Sequence, residues 1–362
     1  MRIAGFAVKC MKKESKSKTS SFLVRALRLV ESVSFWGVAV CSVASLLHAD
    51  QFRLGMLLTY SPRLFWLMIA TFLFFKYAIA RSYRWSLLMS IFALLLIWDM
   101  PLGLGRAAES SDEVHSLTLL SFNTGAEVDH AEQLSELCVE EGVEILSLQE
   151  VSSSQREVFA NAFPEFHFFH GDESAEFENA EPRVFSSLIG IKKNLLSSHN
   201  DVEVFTGITG YRTFAIKARL NDGRFLRVAN VHTTKPFTIY YGLQKLFSNA
   251  ARKAARHQNE KELLDVWLAQ DAETPTIIAG DFNAPASSSN LRFEDMFHSH
   301  RKAGSGLHLT YPRSFPFIGI DHIVTSEHIV FTTSEIVDAG FSDHRAQIAT
   351  FQLKKQNPQQ SN

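Results

Sequence analysis

PTIIAGDFNAP (275–285) decides how this chain is read. Ile277-Ile278-Ala279 has the composition of a buried strand. A glycine follows, and then Asp281 and Asn283, a carboxylate and an amide two positions apart. In extended backbone, residues two apart point the same way. Asp281 and Asn283 are therefore expected to face one site together at a strand end, where loops are solvated and the scaffold is rigid. Alone, GDFN fits equally well a turn closed by an Asx cap.

The same style of ending recurs outward from this stretch. SLTLLSFN (116–123) is an apolar run that ends in Asn123, and VEILSLQE (143–150) is another that ends in Glu150. Between them DHAEQLSELCVEEG (129–142) reads as a helix, with Asp129 as N-cap and Gly142 as its stop. SSLIGIK (186–192), RTFAIKARL (212–220) and FLRVANVH (225–232) read as strands, the last two joined by the hairpin signal Asn221-Asp222-Gly223. FLRVANVH ends in Asn230 and His232, which alternation again turns toward one side. RHQNEKELLDVWLAQ (256–270) predicts a helix, IDHIVTS and FSDHRAQIATFQL two more strands, and acidic EFENAEP a surface loop. Strands mixed with helices and hairpins imply an α/β or α+β domain with helices covering sheets.

Charge divides the chain. Residues 1–106 carry 14 Lys+Arg against 4 Asp+Glu, whereas residues 107–362 carry 22 against 34. The apolar residues segregate at the same boundary. Three stretches, roughly Val33–Ala49, Leu64–Ala80 and Trp85–Leu104, approach the ~20 residues needed to span a bilayer as helix. Asp99 weakens the third, and Lys76 is expected to snorkel. Eight basic residues precede the first stretch, and Arg81 and Arg84 sit between the second and third. The excess of positive charge keeps the N-terminus cytoplasmic. Three crossings then place the acidic part outside the cytoplasm, in a multi-pass cell-membrane protein of bacterial inner-membrane type. The expected division is a basic tail with about three transmembrane helices (1–106), a catalytic domain (107–353) and a disordered tail (354–362). Only Cys138 of the three cysteines lies in the acidic part, so no disulfide forms within it.

Carboxylates, amides and imidazoles without thiolates suit a hard cation, Mg2+ or Mn2+, with water and substrate phosphate completing its shell. In order, the chain shows LLSFN (119–123), LSLQE (146–150), NVHTT (230–234), GDFNAP (280–285), IDHIVTS (320–326) and FSDH (341–344). This series resembles the endonuclease/exonuclease/phosphatase superfamily, the DNase I-like metal-dependent phosphodiesterases, from about 115 to 352. The resemblance implies a four-layer α/β sandwich, two packed β-sheets flanked by helices. It implies metal binding by Glu150, with Asn123 beside it orienting metal or substrate phosphate and Asp343 near the ion. It assigns Asp281 and Asn283 to aligning water and holding the phosphoryl group, and Asp321 to orienting His344. His232 falls near the leaving-group oxygen, and Arg212 resembles an arginine found at the same point in many bacterial members, which fits a phosphate contact or equally a surface arginine. Whether His344 serves as base or as phosphate-stabilising cation stays open, as does the metal count.

The expected function is membrane-anchored, Mg2+-dependent hydrolysis of a phosphoester, with a lipid headgroup or small phosphodiester as substrate and the bilayer as partner through the N-terminal helices. A nuclease with the same site is the alternative. The acidic domain disfavours it, because nucleic-acid affinity rests on Lys/Arg counterion release. A catalytically inactive binding scaffold is the reading from another class, disfavoured by the intact set Glu150, Asp281, Asn283, Asp321 and His344.

Overall fold

The computed structural model describes residues 24–44, 58–100, 102–105, 115–125, 130–152, 155–171, 185–198, 201–208, 213–235 and 242–354. Arg212, the cap position Asp129 and the tail 355–362 lie outside the described residues.

Three apolar helices come first: α1 (Val24–Ala44), α2 (Arg63–Ile79) and α3 (Tyr83–Asp99). They form one compact unit, while Leu58–Arg63 and the chain from Trp98 onward belong to a second. Val38, Ala70 and Leu96 make the small core of the first unit. Leu27, Val30, Trp36, Phe72 and Leu94 are exposed on its outside. Helices apolar all round are the pattern of an element bathed in an apolar medium.

Among the described residues, only α1 is long and apolar enough to cross a membrane, at 21 residues. Its rise of about 31 Å matches a hydrocarbon core of about 30 Å, whereas the 17 residues each of α2 and α3 reach about 25 Å. Length therefore supports one of the about three expected spans among the described residues. The third ends at Asp99 because Pro101 and Gly103 break it, and Leu102–Leu104 becomes a strand. Lys76 pairs with Glu31 of α1.

The second unit holds β1 (Leu102–Leu104), β2 (Ser116–Asn123), α4 (Ala131–Glu140), β3 (Ile145–Ser152), α5 (Gln155–Ala162), β4 (Phe166–His170), β5 (Phe185–Lys192), β6 (Val202–Phe205), β7 (Phe214–Arg219) and β8 (Phe225–His232). It continues with α6 (Gly242–Ala269), β9 (Thr276–Asp281), β10 (Met296–His298), α7 (Ser299–Ala303), β11 (Ser305–Leu307), β12 (Asp321–Ser326), β13 (Ile329–Val337) and β14 (Ala346–Leu353). Two six-stranded sheets result among the described residues. One has the order β13-β14-β2-β3-β5-β4 and the other β10-β12-β9-β8-β7-β6.

Burial on both faces explains the unbroken apolar runs of the central strands. Leu119, Ile145 and Ile189 of the first sheet meet Ile216, Val228 and Ile277 of the second in the core between the sheets. Leu134 and Cys138 of α4 with Phe159 of α5 cover the outer face of the first sheet, and Leu264 and Trp267 of α6 cover that of the second. Helix, sheet, sheet and helix therefore stack in order. Helix α6 starts at Gly242, well before the predicted 256. Asn230 crosses the inter-sheet core: its Nδ2 donates to Leu148 O at 2.9 Å and Leu188 O at 2.8 Å, and its Oδ1 accepts from Gln149 Nε2 at 3.0 Å.

Candidate active site

One row of side chains crosses the second sheet at its end. In the strand registers His232 of β8 lies opposite Asp281 of β9, and Asp281 lies opposite Asp321 of β12. Three separate chain segments thus deliver an imidazole and two carboxylates side by side. Gly280 makes the row possible: its φ is +147°, and a Cβ there would overlap Val231 O of the neighbouring strand. Asn283 arrives differently from the predicted strand alternation, because β9 ends at Asp281. It takes a left-handed φ of 45°, and its N–H donates to Asp281 Oδ1 at 2.7 Å, an Asx turn. Its side-chain amide donates to Thr233 O at 3.0 Å and to Asp281 Oδ2 at 3.2 Å.

The first sheet supplies the opposite wall. Asn123, the last residue of β2, donates from Nδ2 to Asp281 Oδ2 at 3.0 Å. Glu150 adopts a left-handed φ of 57° within β3, where the pairing with β5 is irregular between Leu148 and Val151. Its Oε1 lies 3.4 Å from His232 Nε2 and 3.4 Å from Lys235 Nζ. His344 stands just before β14. Its backbone N–H donates to Ser342 Oγ at 3.1 Å, and Ser342 Oγ donates to Asn123 O at 2.7 Å. His344 Nδ1–H donates to the Asp321 carboxylate at 3.0 Å, while Nε2 faces Asp281 Oδ2 at 3.8 Å. The ring of Tyr311 packs against His344, with centroids 4.8 Å apart.

Asn123, Asn230, His232, Asp281, Asn283, Asp321 and His344 are all buried, with Asp281 fully so. Burial first, then repulsion from Asp321, raises the Asp281 pKa; His344, His232 and the Asn283 N–H oppose that shift. Burial alone would lower the His344 pKa, but attraction to Asp321, then Asp281 and the hydrogen bond to Asp321, outweighs it and pushes the value up to about 10. The His344 ring is therefore an imidazolium at neutral pH. Lys235 shows the same balance, with burial outweighed by Glu150, Asp281 and Asp343, so its pKa is raised.

The structure brings Asn123, Glu150, His232, Asp281, Asn283, Asp321, Asp343 and His344 to one sheet end. Asp343 lies at its mouth, 60% exposed and 3.9 Å from His344 Nε2. Asn230 shares the side of His232 but lies deeper and ties the sheets together. Ser342, Gln149, Thr233 and Tyr311 went unassigned in the sequence. Ser342 stands inside the FSDH motif, Gln149 and Thr233 are motif neighbours, and Tyr311 carries no signal at all.

Oxygen donors from Glu150, Asn123 and Asp343 fit a hard divalent ion. Three carboxylates acting on the single Lys235 ammonium mark a position suited to positive charge. Asp281, Asp321 and His344 also bring ligand atoms within 4.8 Å of one another. His344 Nδ1 already donates to Asp321, and Asp281 already accepts three hydrogen bonds. We read that trio as the proton-handling network.

Residues 120–344 match the Endonuclease/Exonuclease/phosphatase family. A solved endonuclease/exonuclease/phosphatase from Bacteroides vulgatus superposes with a TM-score of 0.52 at 15% identity, covering 66% of this chain and 100% of that one. A family protein from Bacteroides thetaiotaomicron gives 0.51 at 14%, covering 67% and 100%, and TDP2 from C. elegans gives 0.50 at 14%, covering 67% and 77%. No curated relative matches the chain. At these identities the likeness shows the fold alone.

Proposed function

The chain belongs to the endonuclease/exonuclease/phosphatase family of phosphoester hydrolases, and we propose that it is a membrane-anchored, Mg2+-dependent phosphodiesterase or phosphatase working outside the cytoplasm. One observation carries this reading: Glu150, Asp281 and His344, from three strand ends of two sheets, meet through His232, Asn123 and Asp321 in a single buried network.

Glu150 and Asn123, with Asp343 at the rim, would hold the divalent ion. When bound it supplies Lewis acidity toward the phosphoryl oxygens. Asp281, held by three hydrogen bonds, is poised to accept the proton of attacking water, and its raised pKa suits that task. Asn283 offers its amide to a phosphoryl oxygen. His344, fixed by Asp321 through Nδ1, presents Nε2–H as a cationic donor to the developing charge. His232 sits between Glu150 and Asp281 at 3.4 and 3.8 Å, positioned to protonate the leaving oxygen. Arg212 keeps its proposed role as a phosphate contact.

Chain connectivity supports the placement. Thr59, Ser61 and Arg63 line a small cavity with Pro285–Ser287 and Phe317–Gly319. That cavity supports a reading in which residues 58–63 lie on the same side of the bilayer as the catalytic domain. Helices α2 and α3 then both cross, or neither does; in either case a crossing α1 with its basic cytoplasmic tail puts the domain outside. A reporter fused at Asn362 should be active outside and silent within the cytoplasm. The acidic domain supports a lipid headgroup or small phosphodiester over nucleic acid.

The full chain in detergent should hydrolyse bis-p-nitrophenyl phosphate with Mg2+ or Mn2+ and not in EDTA, and Glu150→Gln should abolish turnover. Equal rates in EDTA would refute the reading. A panel of plasmid, oligonucleotide and phospholipid substrates then ranks the substrate classes, with turnover of plasmid alone favouring the nuclease.

A further inference from the structure

Ala254, His257, Glu260, Leu264 and Trp267 form a buried face of α6. Two titratable side chains thus interrupt an apolar stripe, and burying them is costly unless good partners meet them. Those partners stand just past His232. Thr234 donates to the Glu260 carboxylate from N at 3.1 Å and from Oγ1 at 2.7 Å. Thr233 Oγ1 lies 3.0 Å from His257 Nε2.

The other bonds of Thr233 fix the direction of that last contact. Its hydroxyl proton goes to Phe282 O, a carbonyl that can only accept. The hydroxyl oxygen therefore accepts from His257 Nε2–H. Burial lowers the His257 pKa to about 4, so the ring is neutral and carries one N–H. Nδ1 is then the acceptor, and Asn290 Nδ2 donates to it at 3.3 Å. Asn290 is held in turn, its N–H on Ser288 Oγ at 3.2 Å. The main chain of Thr233 turns the other way. Its N–H donates to Asp281 O at 3.0 Å, and its carbonyl accepts from Asn283 Nδ2 at 3.0 Å. Thr233 thereby grips residues 281, 282 and 283 in succession, and His257 holds its hydroxyl.

We propose that His257 is a positioning residue for the active centre, acting through the Thr233 hydroxyl on the turn that presents Asp281 and Asn283. The inference rests on reading that centre as a phosphoester hydrolase. His257 bonds Thr233 and Asn290, one link removed from the groups assigned to water and phosphate. Asn283 sits at a left-handed φ of 45°, a conformation that persists only where surrounding bonds over-determine it. The Thr233 carbonyl is one of those bonds. Freed of its donor, the Thr233 hydroxyl rotates away from Phe282 O, and the turn loses a restraint at its centre.

The test uses the full chain in detergent with bis-p-nitrophenyl phosphate and Mg2+, and each variant is first checked for a cooperative melt. The amide nitrogen of glutamine falls near the place of ring Nε2, and that of asparagine near Nδ1. His257→Gln therefore keeps a donor for Thr233, and His257→Asn does not. His257→Asn should lower kcat by roughly 10–100-fold with KM little changed, while His257→Gln stays within about 3-fold of wild type. Thr233→Val, which deletes the hydroxyl at nearly constant shape, should reproduce the loss, and Thr233→Ser should not. Adding His257→Asn to Thr233→Val should slow it no further, because both cut one link. Equal losses in His257→Gln and His257→Asn, or losses that multiply in the double variant, overturn the proposal. If His257→Asn does not melt cooperatively, the Thr233 pair decides: wild-type kcat in Thr233→Val overturns the proposal, and its loss with retention in Thr233→Ser upholds it. An inactive wild type would instead overturn the hydrolase reading itself.

Discussion

Replacing Asp321 with asparagine keeps the size of the side chain and an acceptor for His344 Nδ1–H but removes the charge. His344 has a pKa of about 10, against an ordinary value near 6.5, despite burial that works the other way. The carboxylates thus favour the imidazolium by about 5 kcal/mol net, and Asp321 is the first of them, acting through both charge and hydrogen bond. A buried opposite charge at hydrogen-bond distance accounts for roughly 1–3 pKa units, so Asp321→Asn should bring His344 down to about 7–9. Carbon-13-labelled histidine, followed by NMR in EDTA, reads this directly. The linkage runs with it. The folded state holds the proton more tightly, so His344 stabilises the fold fully below pH 6.5 and loses that contribution as pH rises toward 10. The variant should lose its share earlier and lose less of it. Turnover should fall by about 10²–10⁴-fold at neutral pH, chiefly because the imidazolium, still at least half populated at a pKa of about 7–9, loses the carboxylate that orients it. An unchanged His344 titration in Asp321→Asn would refute the reasoning.

Asn230→Ala removes three buried hydrogen bonds between the sheets and should cost about 3–6 kcal/mol, read as a Tm drop of about 10 °C or more. Gly280→Ala forces a Cβ into Val231 O at a left-handed φ and should prevent stable folding, with no soluble, cooperatively melting protein recovered. His308 and His322 are buried on the far side of β12, and burial lowers both pKa values, His308 to about 3. The unfolded chain binds protons there at higher pH, so stability is full above about 6.5 and drains as pH falls, by up to about 5 kcal/mol for His308 alone. His308→Gln should flatten that acid limb in a pH series of thermal melts.

The strands that bear the site were legible because both their faces are buried, which writes them as apolar runs that stop abruptly at a polar residue. Runs ending at Asn123, Glu150, His232 and Asp281 needed no structure to be seen. Edge strands were not legible: β4, β6 and β10 are short, partly exposed and broken by a His or Glu. Alternation also fixes a face without fixing depth. Asn230 and His232 share a side, yet one braces the core and the other meets Glu150, a separation along the strand that no pattern announces. Pairings such as His344 with Asp321 depend on which strands become neighbours, which is set by long-range packing. Helix α6 was read short because Lys245, Ser248, Asn249 and Arg252 interrupt the apolar spacing of its first half. The apolar stretches at the N-terminus marked three helices, but composition could not tell a span of about 31 Å from two of about 25 Å.

The most direct test of the account is where a divalent ion binds. Crystals soaked in Mn2+ and measured at the manganese edge should show an anomalous peak at about 2.1–2.2 Å from a Glu150 carboxylate oxygen, between the ends of β2 and β3. That peak should vanish in Glu150→Gln. A peak seated instead on the imidazoles of His300 and His308, or no peak near Glu150 at saturating Mn2+, would contradict it.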